Sequence, residues 1–365
     1  MKKLDWYILN NFLKTFFFSI FLFTIIAIVI DVSEKTEDFV RSKLSFTEIV
    51  QQYYFGFIPH IIALLFPLFV FIAVIFFTSK MAGRSEIIAI LASGTPYNRW
   101  LRAYWVGGIF LALILWFANQ YIIPKANAIK TSFEAKYIDA NSSYEALVNS
   151  RKGRDIYFKL DSFSYAGIMG YDTASKFGGP FFYNTVQQNK VQKNIRAESI
   201  RWDTAKKKWI LNYVNIRYIH GIKENVEQQN ELEQNFNFLP IDLKKDNYVK
   251  TKLTTKELNR FIQLEELRGS ETLNDLKVER YRRDAGPFAV ILLTLIGAVV
   301  AGRKVRGGSG VHLAVGFMTA AIYIIADKFS TVFSTKGNFP PLIAAWLPNV
   351  IFCFVAWYLY KKAPK

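Results

Sequence analysis

The chain has one cysteine and three histidines in 365 residues. A lone Cys353 closes no intrachain disulfide, and His60, His220 and His312 stand in separate segments, a poor vocabulary for a metal site. No G-x-x-x-x-G-K-[ST] occurs, so the chain does not bind ATP through a P-loop. The glycine-rich run 302–310 resembles a phosphate cradle only superficially, because no soluble strand precedes it and a turn between two apolar segments accounts for it. Serines are plentiful, but none stands in a triad spacing. Acidic residues are also in deficit: 29 Asp and Glu against 46 Lys and Arg give a net charge of +17. Such a balance suits nucleic acid or a membrane surface, and the placement of the basic residues decides between them.

What the chain has instead is long apolar runs. A helix crosses the hydrocarbon core in roughly 20 residues. Six runs qualify: 12–30, 55–78, 103–123, 285–302, 311–333 and 342–360. Pro59 and Pro67 predict a kinked second span, and Trp100, Trp105, Trp116 and Tyr121 predict aromatic anchors at both ends of the third. Lys2 and Lys3 precede the first run as in a signal peptide. The run is long, however, and no small-residue cleavage pattern follows it, which predicts a retained helix.

Basic residues collect in one set of short segments: Lys2, Lys3 and Lys14; Lys80, Arg84, Arg99 and Arg102; Arg303, Lys304 and Arg306; Lys361, Lys362 and Lys365. The opposite connection, 31–52, is richer in acids. The positive-inside bias therefore predicts both termini in the cytoplasm and the long polar block 124–284 outside it, with no role for nucleic acid.

Within that block the apolar period changes to two. Ile156, Phe158 and Leu160 alternate with polar neighbours, residues 190–201 alternate likewise, and Trp209, Leu211 and Tyr213 are expected on one face. The stretch 224–234 reads as a loop or an exposed strand, and Thr254 or Thr255 as the cap of a helix near 256–267. The predicted fold is thus an α-helical polytopic membrane protein. Three spans (1–123) and three more (285–365) flank an inserted β domain of sandwich or roll type (124–284).

The most informative local stretch is 83–94, GRSEIIAILASG, between the second and third spans. Ile87, Ile90 and Leu91 form an i, i+3, i+4 stripe, Glu86 lies on another face, and Gly94 is a natural terminator. Two readings are open. Either this is an interfacial helix whose Glu86 pairs with Arg84 or Lys80, or it is a coupling helix that docks in a groove of a separate ATPase.

The segment Arg84, Ser85, Glu86 through Gly94, preceded by Phe66-Pro67, resembles the signature of the LptF/LptG permease family. So do Tyr323–Lys328 and the Pro340-Pro341…Leu347-Pro348 stretch, the last two being more LptG-like. The resemblance covers the whole chain. It implies an inner-membrane permease whose outer domain is a periplasmic β-jellyroll. It also implies partners: a second LptF/LptG-like permease, an LptB-like ATPase dimer that binds ATP and magnesium (this chain carrying no cofactor), and an LptC-like bridge protein. The cargo would be lipopolysaccharide, on its way to the outer membrane. The resemblance gives Glu86 the acidic position of the coupling helix, with Arg84, Ser85, Ile87, Ile90, Leu91 and Gly94 around it.

One departure stands out. In LptG-like members the outer end of the first helix is basic, whereas here it reads DVSEKTED from Asp31 to Asp38. Only Lys35, Arg41 and Lys43 remain there as phosphate partners, with Lys125, Lys130, Arg282 and Arg283 near the same interface as lipid contacts or plain anchors. Asp327 and Lys328 are the charges deepest in a span, read either as a functional pair or as a structural one. Alternatives for the whole chain are a secondary transporter, a permease of another envelope-lipid or lipoprotein exporter, and a membrane enzyme. They are disfavoured by the absence of internal repeats, by the six spans, and by the absence of a clustered set of His or acidic residues.

Overall fold

A computed structural model describes the chain except residues 1–2, 139–153, 162, 173–174, 188–189, 222, 237, 244–248, 269–271, 304–308 and 364–365, and the side chains of 154, 220, 241–242, 267–268, 309 and 312–313. Hydrocarbon offers no hydrogen-bond partner to a free peptide group, so apolar runs of this length become helices. Six such helices are present. Leaving aside the one-turn segments Pro240–Leu243 and Val249–Lys252, the helices of the described residues are, in chain order, α1 (Lys3–Ser42), α2 (Phe46–Gly83), the short α3 (Glu86–Ala92), α4 (Tyr97–Ile138), α5 (Thr255–Arg268), α6 (Leu273–Ala301), α7 (Ser309–Gly337) and α8 (Pro341–Lys361). All but α3 and α5 are the spanning helices.

The chain divides into two compact units. The first comprises 1–134, 250–259 and 274–365, and holds the spans. Its core is built from α1, α2 and α4 around Phe12, Phe16, Val70, Val74, Trp100 and Tyr104, and continues through Phe71 and Ile75 to Leu293 and Ile296 of α6. Close approach of α2 and α4 depends on Gly56, where a Cβ would lie 2.4 Å from the Ala126 carbonyl oxygen and 2.6 Å from the Lys130 nitrogen.

The helices outrun the predicted spans. The connection expected at 31–52 is instead mostly helix, because α1 runs on to Ser42 and α2 begins at Phe46. Lys43, at φ 56°, turns the chain, and Ser45 caps α2 in a reciprocal pair with Glu48. Two π-helical turns interrupt the long helices, Val50–Tyr54 in α2 and Ala118–Ile122 in α4, and another, Glu134–Ile138, ends α4. The fourth span is part of one continuous helix that begins at Leu273.

The second unit, 135–249 with 260–273, contains one seven-stranded antiparallel sheet. Its strands are β1 (Arg154–Lys159), β2 (Ser164–Tyr171), β3 (Phe177–Gly178), β4 (Phe181–Gln187), β5 (Lys190–Asp203), β6 (Lys208–His220) and β7 (Lys223–Gln234). The order is β1-β2-β4-β5-β6-β7, with the two-residue β3 pairing with β5. Residues 224–234 are therefore the exposed strand rather than the loop, and β7 is an edge of the sheet.

One apolar face of this sheet buries Ile168, Phe181, Ile195, Ile200, Trp209 and Leu211. The chain after β7 lies along it: Phe238 packs on Trp209 and Phe158, Phe236 on Phe181 and Tyr183, and the Trp209 indole donates to the Phe238 carbonyl at 2.9 Å. Tyr213 departs from the expected face. It is 63% exposed and sits at φ 50°, a left-handed residue that breaks the alternation, so that Val214 and Ile216 are the next inward residues.

Candidate functional site

The link from α2 to α3 is tight. The Arg84 and Ser85 amides bond back to Lys80 and Ala82, and Ser85 takes the left-handed conformation at φ 60°, which starts α3 in a new direction. Gly94, at φ 82°, ends it as the sequence predicts. In the helix between, the apolar stripe faces the chain's own bundle. Ile87 is 2% exposed and belongs to the core with Met81, Tyr97 and Trp100, while Ile90 and Leu91 pack against that core. The face left open carries Ile88, Ala89, Ala92, Ser93 and Gly94, Ile88 being 51% exposed. The buried stripe is the one that the i, i+3, i+4 spacing marks, with Ile88 beside it on the open side.

Glu86 stands at the edge of this surface, partly accessible. Its carboxylate accepts from the Tyr7 hydroxyl of α1 at 3.3 Å and pairs loosely with Arg84 at 3.9 Å. Arg84 is thus the nearer of the two pairing partners expected for it, and Tyr7 is a contact that no sequence pattern signals.

At the C-terminal end of α1, Lys35 points inward. Its ammonium lies 2.9 Å from Asp31 and 3.2 Å from Glu134, donates to the Tyr53 hydroxyl, and sits 4.6 Å from the centre of the Tyr53 ring. Buried Asp31 also accepts from Tyr53 at 2.9 Å and Tyr54 at 3.1 Å, both on the π-turn of α2. Lys130 completes the cluster through Glu134 at 3.5 Å. The π-turn has a structural reason here: it presents two successive tyrosines to one carboxylate.

The other expected basic residues divide by environment. Arg283, 5% exposed, bonds Thr255 at 3.1 Å, the Lys250 carbonyl at 2.9 Å and Glu279 at 3.5 Å. Arg282 is ion-paired to Asp327, so the deep acid of α7 is matched from α6 and not by its neighbour Lys328. Among the described residues Arg41 pairs with exposed Glu37 on its own helix. Lys43, Lys125 and Lys328 are exposed.

The segments of α7 and α8 singled out in the sequence pack on each other. Tyr323 donates to Asn349 at 3.0 Å, Asn349 to the Ala285 carbonyl of α6 at 2.8 Å, and Ser330 to the Ala344 carbonyl at 2.6 Å. The outward faces are apolar and uneven in cover. Only 17% of the most apolar stretch is buried in α1 and in α7, against 50% in α2 and 67% in α6. Phe18, Phe21 and Val29 of α1, and Met318, Ile325 and Phe333 of α7, lie open. Helix α2 packs against both.

Comparison with known proteins agrees with this architecture. The family described as lipopolysaccharide export system permease LptF/LptG matches residues 6–362. The chain is 18% identical over 308 residues to the lipopolysaccharide export system permease protein LptG of Haemophilus influenzae, covering 84% of this chain and 83% of that one. It is 18% identical over 309 residues to LptG of Escherichia coli K12, covering 84% of each. A match across nearly the full length, with six spanning helices and an antiparallel β domain between the third and fourth, makes this chain a member of the LptF/LptG family of lipopolysaccharide export permeases.

Proposed function

We propose that the chain is the LptG-like half of a paired permease in the bacterial inner membrane, with both termini cytoplasmic and the β domain periplasmic. In this reading it extracts lipopolysaccharide from the outer leaflet and passes it through the β domain toward the outer membrane. Hydrolysis of ATP takes place in a separate LptB-like dimer, engaged by the open face of α3 beside Glu86. The observation that carries the reading is the pair of uncovered apolar faces on α1 and α7, which flank α2 and have the composition of surfaces meant for a second permease and for acyl chains.

The β domain supports the same reading. Its inward residues, among them Ile156, Phe158, Leu211 and Ile216, form a continuous apolar face, and β7 offers an open edge on which an LptC-like protein adds a strand. For the lipid head group the exposed Lys43, Lys125 and Lys328, and Arg41 whose partner Glu37 is itself open to solvent, are better placed than Lys35, Lys130, Arg282 and Arg283, whose charges are matched in partly buried pairs or buried.

The test is affinity purification in mild detergent, with mass spectrometry of the bound proteins and lipid. A second permease, an ATPase and lipopolysaccharide are expected. Recovery of the chain alone, or with a phospholipid-only complement, overturns the reading.

A further inference from the structure

A pocket opens on the flank of the bundle between the start of α1 and the end of α2, and a second, lined from the α2 side alone, adjoins it through Phe76, Lys80 and Arg84. Phe76, Lys80 and Arg84 follow one another at intervals of four, so they line one helix face. Across from them Tyr7, Asn11 and Thr15 do the same on α1. The result is a groove roughly 12 Å long, by the rise of about 1.5 Å per residue. It is graded along its length. Toward one end lie Lys80, Arg84, the Tyr7 hydroxyl and the Glu86 carboxylate that Tyr7 and Arg84 contact, two positive charges against one negative, and the other end is walled by Phe76, which is 49% exposed.

The charge is unbalanced. Lys80 has no ion-pair partner among the described residues, and Arg84 has only the 3.9 Å contact with Glu86. A cationic pocket between spanning helices, continuous with an apolar wall, fits an anion that carries its own acyl chain. We propose that this groove binds an anionic glycerophospholipid, its phosphate on Lys80 and Arg84 and an acyl chain along Phe76. The site lies at the end of the spans next to α3, and it requires only that the helices cross a membrane. An occupant there competes with Glu86 for Arg84, so lipid composition reaches the surface beside α3.

The experiment is native mass spectrometry of the purified complex, extracted from vesicles of phosphatidylcholine containing phosphatidylglycerol. Wild type is expected to retain phosphatidylglycerol over phosphatidylcholine. Lys80→Gln is expected to lower that retention about fivefold, and Lys80→Gln with Arg84→Gln by about fivefold again, the worth of one basic residue near an anionic lipid. Lys361→Gln, at a basic position outside the groove, is expected to change nothing. Phe76→Ser keeps both cations and is also expected to lose the lipid.

Millimolar glycerol phosphate separates the two sources of a phosphate. Failure to displace the lipid supports the assignment, and displacement overturns it in favour of a soluble anion. Equal retention of the two lipids by wild type, or equal phosphatidylglycerol on wild type and Lys80→Gln, also overturns it. Lys80 is exposed, so the single variant folds even if the double does not.

Discussion

Lys35→Met separates two roles for the basic residue nearest the acidic end of α1. As a lipid contact, Lys35 would matter to transport and little to folding. As drawn by its contacts, it is the cation of a partly buried cluster, 2.9 Å from Asp31 and 3.2 Å from Glu134. Removing one partner of a buried pair costs about 3–5 kcal/mol. The lower end applies here, because Glu134 keeps Lys130 at 3.5 Å and Asp31 keeps the Tyr53 and Tyr54 hydroxyls. An unfolding entropy of about 2 cal/mol/K per residue over 365 residues turns about 3 kcal/mol into a fall of roughly 4 °C. The assay is thermal unfolding of the purified protein in detergent, read by size exclusion. Asp31→Asn combined with Lys35→Met should lose less than the sum of the singles, because the two share one interaction. Arg41→Gln and Lys43→Gln, at exposed positions, should shift unfolding by well under a degree and weaken lipid-stimulated ATPase activity of the complex. An unchanged melting temperature for Lys35→Met, with lipid stimulation abolished, would refute the reasoning and return Lys35 to the lipid.

Glu86→Lys should loosen the ATPase in pull-downs and lower lipid export, with Glu86→Gln milder, while both variants still insert; export at the wild-type rate removes Glu86 from coupling. Ile88→Asp should act likewise without loss of stability, whereas Ile87→Asp should lower the melting temperature, since only Ile87 is in the core. Gly56→Val should reduce the yield of folded protein, because its Cβ meets backbone atoms that cannot move aside. Photocrosslinkers at Leu211 and Ile216 should trap lipopolysaccharide when ATP is supplied and one at Tyr213 should not; adducts at Tyr213 alone would reject the apolar face as the path. Glu257 is held below the usual carboxylate range by the Thr254 hydroxyl and then the Thr254 amide. Its stabilisation is complete above the ordinary glutamate value near about 4.3 and disappears as pH falls through its lower folded value. Thr254→Val should cost about 1 kcal/mol at neutral pH and remove that acid-side loss, measured by melting across pH.

The spans were legible because twenty apolar residues in a row have few other fates, and the cap at Thr254 and the stop at Gly94 because each needs one residue type. The strands β5 and β6 were legible from alternation, whereas β2 and β4 were not, since Gly167, Gly170, Asn184 and Thr185 dilute the pattern. Side-chain direction was the main loss. Nothing in the order of residues tells that Lys35 turns in and Lys43 out, that Tyr213 rotates the tail of β6, or that α1 stays helical through an acidic stretch. Each depends on neighbours distant in sequence: Glu134 for Lys35, and Tyr53 and Tyr54 for Asp31. The Arg282–Asp327 pair was half visible: the sequence showed an acid in the membrane, but its partner came from another helix.

Helix α3 is bounded by two left-handed residues, Ser85 and Gly94, and it is anchored by Ile87 in the same core that holds α2 and α4. A short helix between two flexible linkers would absorb a push as slack. This one has almost none to give: each linker is a single turn tied back by backbone hydrogen bonds, and the anchoring side chain cannot leave without opening a cavity. Whatever grips α3 therefore grips the second and third spans together. If α3 is the docking element proposed above, displacement at its surface would pass to that pair rather than end in a local rearrangement, and the helix would act as a handle whose stroke is set by the stiffness of the bundle.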